Sequence, residues 1–436
     1  MTATPERPRR VVLRYEDDWN ELRAQLQSDR ATGLTRSSVR DHLTGWLDQG
    51  SFVELGSLVR RDSSSYRGGE SIGEEQNTSV PADGLIAGWG SLGGQLVFIT
   101  ADDAALGSSV WGGAAAAKAT RVRHHALEQS APLIQVLAAG RTDDETFIGA
   151  EFVRFGYGVD LDFEHQSTER ILKIAIVTGS LRDQAALEAG WSHIVILAGP
   201  DAALYGHRAD AALHRGFADL AVADLPNALR AATGLLHHLP PNCFNDPPAQ
   251  APSPSTPQPE DVDQLLDDSW AVELGPAWCP AVRTWLGRIG GRTAGLIRCA
   301  DGLSVDGATA RKMLRLAVFC RAFGLPLVLA HEGIDRATGM GLADLDDLAR
   351  LRAELASPQA TVLELARTTR SIETDLGVRP IWSVGPPGGE AHDEVAALSE
   401  HRGALHEVIV TLERSRPRPD QDERVKRRRP RGLQAG

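Results

Sequence analysis

Apolar and polar residues follow a pattern that occurs twice along the chain. In the first copy, a glycine turn at residues 90–94 runs into an apolar segment, and a helical run then leads to a second apolar segment at residues 132–137. In the second copy, the same order starts at residues 287–291 and reaches residues 326–329. The glycine turns are 197 residues apart and the prolines that open the last segments are 194 apart. This spacing is too long for a solenoid array, so it predicts two similar domains.

Each copy is predicted to contain strand, glycine turn, strand, loop, helix and strand. Lys118 and Lys312 precede the proline of their copy by fourteen residues. The predicted elements of the first half are strands at 84–88, 95–100, 132–137, 173–177 and 194–197 and a helix at 113–129; those of the second half include a helix at 343–355, another to about residue 374 and a strand at 380–384. Strands that alternate with helices favour an α/β fold built from parallel crossover units. Ligands of such folds usually lie at the carboxyl ends of the strands.

The chain divides into five predicted segments: an N-terminal helical segment (1–47), a first domain (48–245), a proline-rich linker (246–261), a second domain (262–415) and a basic tail (416–436). The linker falls between the two copies, and its prolines remove backbone donors and stiffen the chain. A chain of 436 residues exceeds what one hydrophobic core usually organises, in agreement with two domains.

Composition narrows the classes of protein. The net charge of −12 argues against a nucleic-acid-binding body, and the basic tail is read as a solvated terminus. No apolar run reaches the length of a membrane span, and no secretion segment follows the polar N-terminus, so we expect a cytoplasmic protein without membrane contact. The four cysteines form no Cys-x-x-Cys pair, so neither a zinc ribbon nor a disulfide framework is indicated.

Gly88, Gly90 and Gly93 satisfy the dinucleotide fingerprint Gly-x-Gly-x-x-Gly. That fingerprint needs a helix directly after the glycines, so that the pyrophosphate meets free N–H groups. An apolar strand follows here instead. The motif therefore predicts a β-hairpin turn with glycines at positive φ.

Histidines offer weaker candidates. The pairs at 124–125 and 237–238 have no carboxylate or cysteine at ligand spacing, so no metal site is predicted. His331 and Glu332 follow a predicted strand and form a candidate acid–base pair. A capping or surface role is the favoured interpretation of that pair.

Several segments, in order, resemble the carboxyltransferase (β) subunit of biotin-dependent acyl-CoA carboxylases of the propionyl-CoA and acetyl-CoA carboxylase type. They read DQGSFVEL at 48–55, DGLIAGWG at 83–90, LPPN at 239–242, GRIGGR at 287–292 and FCRAFGLP at 319–326. The similarity covers most of residues 40–385. It implies two crotonase-like domains in tandem, which accounts for the repeat.

The resemblance also implies a reaction and partners. In that family the N-terminal domain binds acyl-CoA and the C-terminal domain binds carboxybiotin on a carrier protein. The implied partners are a biotin carboxylase or biotin carrier subunit, and a second copy of this chain or a homologous carboxyltransferase subunit. In the implied oligomer, the N-terminal domain of one chain faces a C-terminal domain of another. Backbone N–H groups would form an oxyanion hole for the enolate of the thioester.

The glycine turns of the family are altered in this chain. Where the family has Ser-Gly-Gly-Ala-Arg, residues 138–142 read Ala-Ala-Gly-Arg-Thr. The resemblance places the thioester hole at Gly140 and Arg141, substrate contacts at Ala138, Ala139 and Gly179, and the biotin-side hole at Gly388 and Gly389.

Three interpretations follow from these changes and remain open at the level of sequence. The chain is a divergent carboxyltransferase; or it is a biotin-independent decarboxylase of a malonyl-type thioester; or it is a catalytically silent subunit that pairs with an active homologue. Sequence does not identify the acyl group, because the loops that shape the pocket cannot be placed from it.

Overall fold

The computed structural model describes residues 24, 38–57, 59, 84–103, 113–138, 161–251, 265–267, 270–336, 340–366, 370–384 and 404–412. The predicted N-terminal helical segment is described only at Ala24 and from residue 38 onward, where a helix is present. Most of the proline-rich linker and the whole basic tail lie outside the described residues.

Helices cover both halves of the chain. They are α1 (Ser38–Trp46), α2 (Gly113–Gln129), α3 (Leu161–Ser167), α4 (Asp183–Gly190), α5 (Ala209–His214), α6 (Leu225–His238), α7 (Gly307–Phe323), α8 (Leu342–Leu355) and α9 (Ile372–Asp375), and residues 404–412 form one more.

The strands of the first half are β1 (Val53–Glu54), β2 (Leu85–Leu92), β3 (Gln95–Asp102), β4 (Leu133–Leu137), β5 (Lys173–Val177), β6 (Ser180–Leu181), β7 (Ile194–Ala198), β8 (Ala203–Leu204), β9 (His207–Arg208) and β10 (Leu220–Val222). Those of the second half are β11 (Ala271–Glu273), β12 (Val282–Ile289), β13 (Arg292–Cys299), β14 (Leu303–Val305), β15 (Leu327–His331), β16 (Ile334–Arg336), β17 (Val362–Ala366) and β18 (Trp382–Val384).

Two main sheets have the same construction. The first has the order β1-β2-β3-β4-β5-β7-β10, and the second has the order β11-β12-β13-β15-β17-β18. In each sheet the first three strands pair antiparallel with one another. The second hairpin strand, β3 or β13, and the strands after it pair in parallel. Helix α2 connects β3 to β4, and α7 connects β13 to β15 in the same way. The internal repeat in the sequence therefore corresponds to a repeat in the fold.

Both hairpins turn through a pair of glycines that an upstream aspartate caps. The pairs are Gly93–Gly94, with φ of 57° and 80°, and Gly290–Gly291, with φ of 60° and 82°. The carboxylate of Asp48 accepts both N–H groups of the first pair at 2.9 and 2.8 Å, and Asp267 accepts those of the second at 2.9 and 2.6 Å. The hairpin prediction is confirmed. The dinucleotide interpretation is excluded, because a strand follows the glycines and no helix receives a phosphate there.

Local sequence defines the ends of the crossover helix α7. The Asp306 side chain accepts the N–H of Thr309 at 2.8 Å, and the Thr309 hydroxyl accepts the N–H of Asp306 at 2.9 Å. This reciprocal pair satisfies donors that the first turn of a helix leaves free. At the other end, Gly324 takes the left-handed conformation with φ of 63°, where glycine has no steric penalty.

One predicted element is wrong. The helix expected to extend to about residue 374 is instead the buried strand β17 followed by the short helix α9. A short, continuous apolar run fits a buried strand as well as a buried helix, and periodicity cannot separate the two. Residues 362–366 pair in parallel with β15, with Val328 opposite Leu363, so this segment is a strand.

The two halves share one apolar core. Buried residues of the first sheet, of α6 and of α7 belong to a single cluster. Polar contacts also join the halves: Arg315 of α7 donates to the Asp219 carboxylate at 2.7 Å, and the Thr293 hydroxyl donates to the His238 carbonyl at 2.7 Å. The ring of His193 lies edge-on to Phe323 with a centroid distance of 5.0 Å. Helix α7 is therefore part of the second half and also part of the junction.

Candidate active site

The carboxyl ends of β4 and β5 bring two predicted substrate residues together. Ala138 follows β4 directly, and Gly179 follows β5 by two residues. A Cβ built on Gly179 would lie 1.7 Å from the carbonyl oxygen of Ala138, far inside van der Waals contact. Only glycine fits at this position with the backbone as it stands. The structure thus places these two residues side by side, at the edge where α/β folds bind ligands.

The Asp102 side chain accepts a hydrogen bond from the backbone N–H group that directly follows β4. The parallel register of Ala101 with Val136 sets the end of β3 beside the end of β4. There the Asp102 Oδ2 atom accepts the N–H of Ala138 at 3.0 Å. Asp102 is only 6% exposed, and its neighbour Asp103 is also buried.

Sequence reasoning missed this aspartate. The one available signal is the pair of aspartates that directly follows the apolar strand residues of β3. Carboxylates are rarely buried without partners, so two of them at the end of a core strand indicate polar structure there.

A lysine lies close to the same strand end. Lys118 of α2 is buried and donates to the carbonyl oxygen of Leu85 at 2.6 Å. Leu85 is the hairpin partner of Asp102, so the ammonium group lies near this end of β3. In the second half, Lys312 of α7 donates to the carbonyl of Gly275 at 2.9 Å, and burial lowers its pKa to about 8. The lysines that mark the repeat therefore tie the crossover helix to backbone carbonyls in both halves.

The other predicted site residues of the first half, Ala139, Gly140 and Arg141, lie outside the described residues. The same holds for Gly388 and Gly389, the predicted biotin-side turn of the second half. Their assignments stay predictions.

A buried carboxylate organises the carboxyl ends of the strands in the second half. Glu364 of β17 has a fully buried side chain. It accepts hydrogen bonds from His331 Nε2 at 2.9 Å, from the N–H of Ile372 at 2.7 Å, and from the hydroxyls of Ser371 and Ser383 at 3.2 and 2.7 Å. Burial raises the pKa of Glu364, but the hydrogen bonds outweigh burial and hold this pKa below its ordinary value. One carboxylate thus connects β15, the start of α9 and β18.

His331 has a different partner from the one considered at the sequence level. Gly333 N–H donates to His331 Nδ1 at 3.1 Å, which assigns the proton of the neutral ring to Nε2, where it faces Glu364. His331 is 1% exposed. The surface role favoured for His331 with Glu332 is therefore wrong, because β15 turns the imidazole into the core. The bond from the Gly333 N–H is a local capping contact. The register of His331 with Ala366 brings β17 alongside and makes Glu364 its partner.

In the described part of the chain, no cluster of three or more His, Cys, Asp or Glu side chains is suitable for a metal ion. His125 pairs with Glu128 at 3.1 Å, and His238 stacks on Trp270 with a centroid distance of 4.4 Å. Among the same residues, no helix is long and apolar enough to cross a bilayer.

Comparison with known proteins agrees with this geometry. Residues 34–198, which span the chain from α1 to the end of β7, match the carboxyl transferase domain family. This part of the chain is therefore similar to that family. The propionyl-CoA carboxylase beta chain of Roseobacter denitrificans is 23% identical over 349 residues, which cover 70% of this chain and 66% of that protein. The methylmalonyl-CoA decarboxylase subunit alpha of Veillonella parvula is 22% identical with the same coverage of 70% and 66%. The chain thus spans just under two thirds of the length of these relatives.

Two solved structures share the fold of this chain. Transcarboxylase 12S, solved with methylmalonyl-coenzyme A and methylmalonic acid bound, matches with a TM-score of 0.70 at 17% identity over 90% of each chain. A single-chain, multi-domain long-chain acyl-CoA carboxylase matches with a TM-score of 0.66 at 18% identity, over 91% of this chain and 46% of that one. The prediction of an α/β fold with two crotonase-like domains in tandem is confirmed.

Proposed function

We propose that the chain is a carboxyltransferase for an acyl thioester, either an acyl-CoA or an acyl carrier. Carboxylate would pass from carboxybiotin, held on a carrier protein, to the α carbon of the thioester through an enolate. The observation that carries the proposal is the close approach of Ala138 and Gly179 at the carboxyl edge of a repeated crotonase-like sheet. Glycine at 179 lets two strand ends meet where a thioester carbonyl would lie.

The chemistry explains why backbone groups suffice. Removal of an α proton moves negative charge onto the thioester oxygen, and fixed N–H groups stabilise that charge without reorganisation. Loss of one such donor costs roughly 3–4 kcal/mol in comparable holes. The predicted donors lie at Gly140 and Arg141, and the predicted biotin-side donors at Gly388 and Gly389.

The assignment of the two halves follows from the same proposal. The first domain (48–245) would bind the acyl-CoA and the second domain (262–415) the carboxybiotin, with the linker at 246–261 between them. The proposed partners are a biotin carboxylase or biotin carrier subunit, and a second copy of this chain or a homologous carboxyltransferase subunit. A cytoplasmic location is part of the proposal.

Decarboxylation of a malonyl-type thioester is a second candidate. The similarity to a methylmalonyl-CoA decarboxylase subunit alpha favours it. The reaction needs an enolate hole but no carboxybiotin as donor, so loss of the biotin-side glycine turn would be tolerated.

A silent subunit is the third candidate, and the contact between Asp102 and Ala138 favours it. That contact uses a backbone donor at the proposed thioester end. A subunit of this kind would contribute structure to an assembly with an active homologue.

One experiment separates the three candidates. The purified chain is incubated with propionyl-CoA, malonyl-CoA and methylmalonyl-CoA, with and without a carboxylated biotin carrier, and the thioester masses are followed. Carboxylation of propionyl-CoA only with the carboxylated carrier supports the transferase. Loss of CO₂ without the carrier supports the decarboxylase. No mass change with any thioester contradicts both enzyme proposals for these substrates.

A further inference from the structure

A fully buried arginine in the second half lacks a direct partner for its charge. Arg288 of β12 is 0% exposed. Among the described residues, its Nε and Nη1 atoms have no hydrogen-bond partner, and Nη2 donates to the carbonyl oxygen of Pro248 at 3.4 Å. That distance is longer than the usual N–H···O separation of about 2.7–3.2 Å. The guanidinium group therefore has donors that the described fold does not use.

The first half shows the usual treatment of a buried guanidinium. Arg123 of α2 is 1% exposed and forms an ion pair with Glu188. Around Arg288, burial lowers the pKa of the guanidinium, and the charge of Asp267 opposes this shift. The Asp267 carboxylate, however, accepts the two N–H groups of the second hairpin turn. A buried charge is costly unless it is paired, so the surroundings of Arg288 favour an anion.

The hairpin itself does not need this arginine. The residue 197 positions before Arg288 is Ser91, which is half-buried. The first hairpin nevertheless turns through the same pair of glycines with positive φ. A capping aspartate is present in both halves, whereas the buried arginine is present only in the second. The guanidinium group therefore serves something other than the turn.

Groups from both halves of the chain surround Arg288. Thr293 lies opposite Arg288 across the hairpin, and its hydroxyl donates to the carbonyl of His238 at 2.7 Å. His238 ends α6. Burial, and after it the charge of Arg288, lowers the pKa of His238 to about 4, so its ring is neutral at pH 7. The Nδ1 atom of this ring is also buried without a hydrogen-bond partner. Two unused polar groups therefore lie close together at the junction of the halves.

The start of the linker covers the guanidinium group. Pro248, whose carbonyl Nη2 contacts, is itself exposed. Two residues further on, the N–H of Gln250 donates to the carbonyl of Gly291 at 3.1 Å. These two contacts hold an exposed segment across the hairpin. A small ion reaches Arg288 when this segment lifts locally, without separation of the two halves.

We propose that Arg288 binds a small tetrahedral oxyanion of the phosphate or sulfate class between the second hairpin, the end of α6 and the linker. A guanidinium group donates two parallel hydrogen bonds to such an anion. Nη2 forms this fork with either Nε or Nη1. The neutral His238 ring can add a donor through Nδ1. The anion supplies the missing opposite charge, and the site is independent of the proposed reaction.

Equilibrium dialysis of the full chain against ³²P-phosphate, in chloride buffer of constant ionic strength, tests the site. We expect one phosphate per chain, displaced by sulfate but not by free CoA, which is too large for a covered site. Arg288→Gln should weaken phosphate binding by about ten-fold or more, because hydrogen bonds to a charged group are lost. Arg288→Lys keeps the charge without the fork, so its loss should be smaller.

Arg283→Gln is the matched control. It removes a guanidinium group from the same strand, but this group pairs with Glu273 at 2.9 Å and is partly exposed. Phosphate binding should equal that of the unchanged chain. Thermal melting identifies variants that fail to fold, and Arg288→Lys preserves the test if the glutamine variant does fail.

Thermal melting also separates an anion site from a structural role for the arginine. In chloride, Arg288→Met should melt at the temperature of the unchanged chain or higher, because it replaces an unpaired buried charge with an apolar side chain. In phosphate or sulfate, the unchanged chain should gain melting temperature, since the anion binds only the folded state. Arg288→Met should not gain, so the anion should raise the stability of the unchanged chain relative to the variant.

Three results would overturn the proposal. The first is a chain that binds no phosphate. The second is equal binding of phosphate by the unchanged chain and by folded Arg288 variants. The third is a loss of melting temperature in Arg288→Met that is the same in chloride and in phosphate. That last result would mean that water or the carboxyl end of α6 already stabilises the charge.

Discussion

The contact between Gly179 and Ala138 shows how a single backbone position constrains the candidate site. We predict that Gly179→Ala destabilises the chain by roughly 1–3 kcal/mol, the usual cost of forcing atoms into a packed site. The physical reason is the 1.7 Å approach of the new Cβ to the Ala138 carbonyl oxygen. Thermal melting or denaturant unfolding measures the loss.

Gly190→Ala is the control for that substitution. Gly190 ends α4, and a Cβ there would meet no atom within 4 Å. Its melting temperature should stay near that of the unchanged chain. Equal stability of the two variants would show that the backbone at Ala138 moves freely, contrary to the packing described.

Glu364 gives a prediction about pH. Its pKa lies below the ordinary value of 4.5 in the folded chain, so the folded state binds fewer protons than the unfolded state near that pH. The stability that the carboxylate contributes is therefore complete above pH 4.5 and is lost as the pH falls through the folded pKa. We expect Glu364→Gln to lower the melting temperature most at neutral pH, with the difference narrowing below pH 4.5.

The neighbouring Glu373 on α9 is exposed and serves as the control. Glu373→Gln should show no comparable dependence on pH. If the melting temperatures of Glu364→Gln and of the unchanged chain differ by the same amount from neutral pH down to acid unfolding, the prediction is wrong. The hydrogen bonds would then not stabilise the charged form of Glu364.

Residue-level predictions from sequence failed where strands from distant parts of the chain met. The structure places Ala138 beside Gly179, and their role as substrate contacts stays a prediction. The partners of Asp102 and His331 depend on strand register across 36 and 33 residues of sequence. Periodicity contains no information on which side chains of two separate strands become neighbours.

At the level of elements, the two capped hairpins offer the same interaction in two environments. Asp267 is 2% exposed, whereas Asp48 lies nearer to solvent. We expect Asp267→Ala to cost roughly 2–4 kcal/mol, because two buried N–H groups lose a charged acceptor. Asp48→Ala should lower stability less, since water replaces the carboxylate. Melting temperatures of the two variants provide the comparison, and a larger loss for Asp48→Ala would contradict it.

The elements themselves were largely predictable. Glycine pairs followed by apolar runs predicted both hairpins, and the lysine–proline spacing predicted both crossovers. The failure at residues 362–366 has a physical cause: a buried parallel strand is apolar on both faces and so lacks the alternation that marks an exposed strand. The caps of the hairpins were not predicted, because Asp48 and Asp267 lie 45 and 23 residues before the turns they cap.

At the level of the whole molecule, the repeat predicted two similar sheets but not how they meet. The junction depends on α7, whose Arg315 pairs with Asp219 and whose Phe323 contacts His193. A core shared by both halves makes their relative position part of the fold. The carboxyl edges of the two sheets of one chain therefore have a fixed arrangement.

Carboxyl transfer is the central claim about the whole molecule, and transfer of an isotopic label tests it most directly. A biotin carrier carboxylated with ¹³C-bicarbonate is mixed with the purified chain and propionyl-CoA, and the thioester is analysed by mass spectrometry. The account predicts that ¹³C-carboxylate appears on the thioester, and that omission of either the chain or the carboxylated carrier abolishes the label. An unlabelled thioester, under conditions in which an active carboxyltransferase labels it, would contradict the claim.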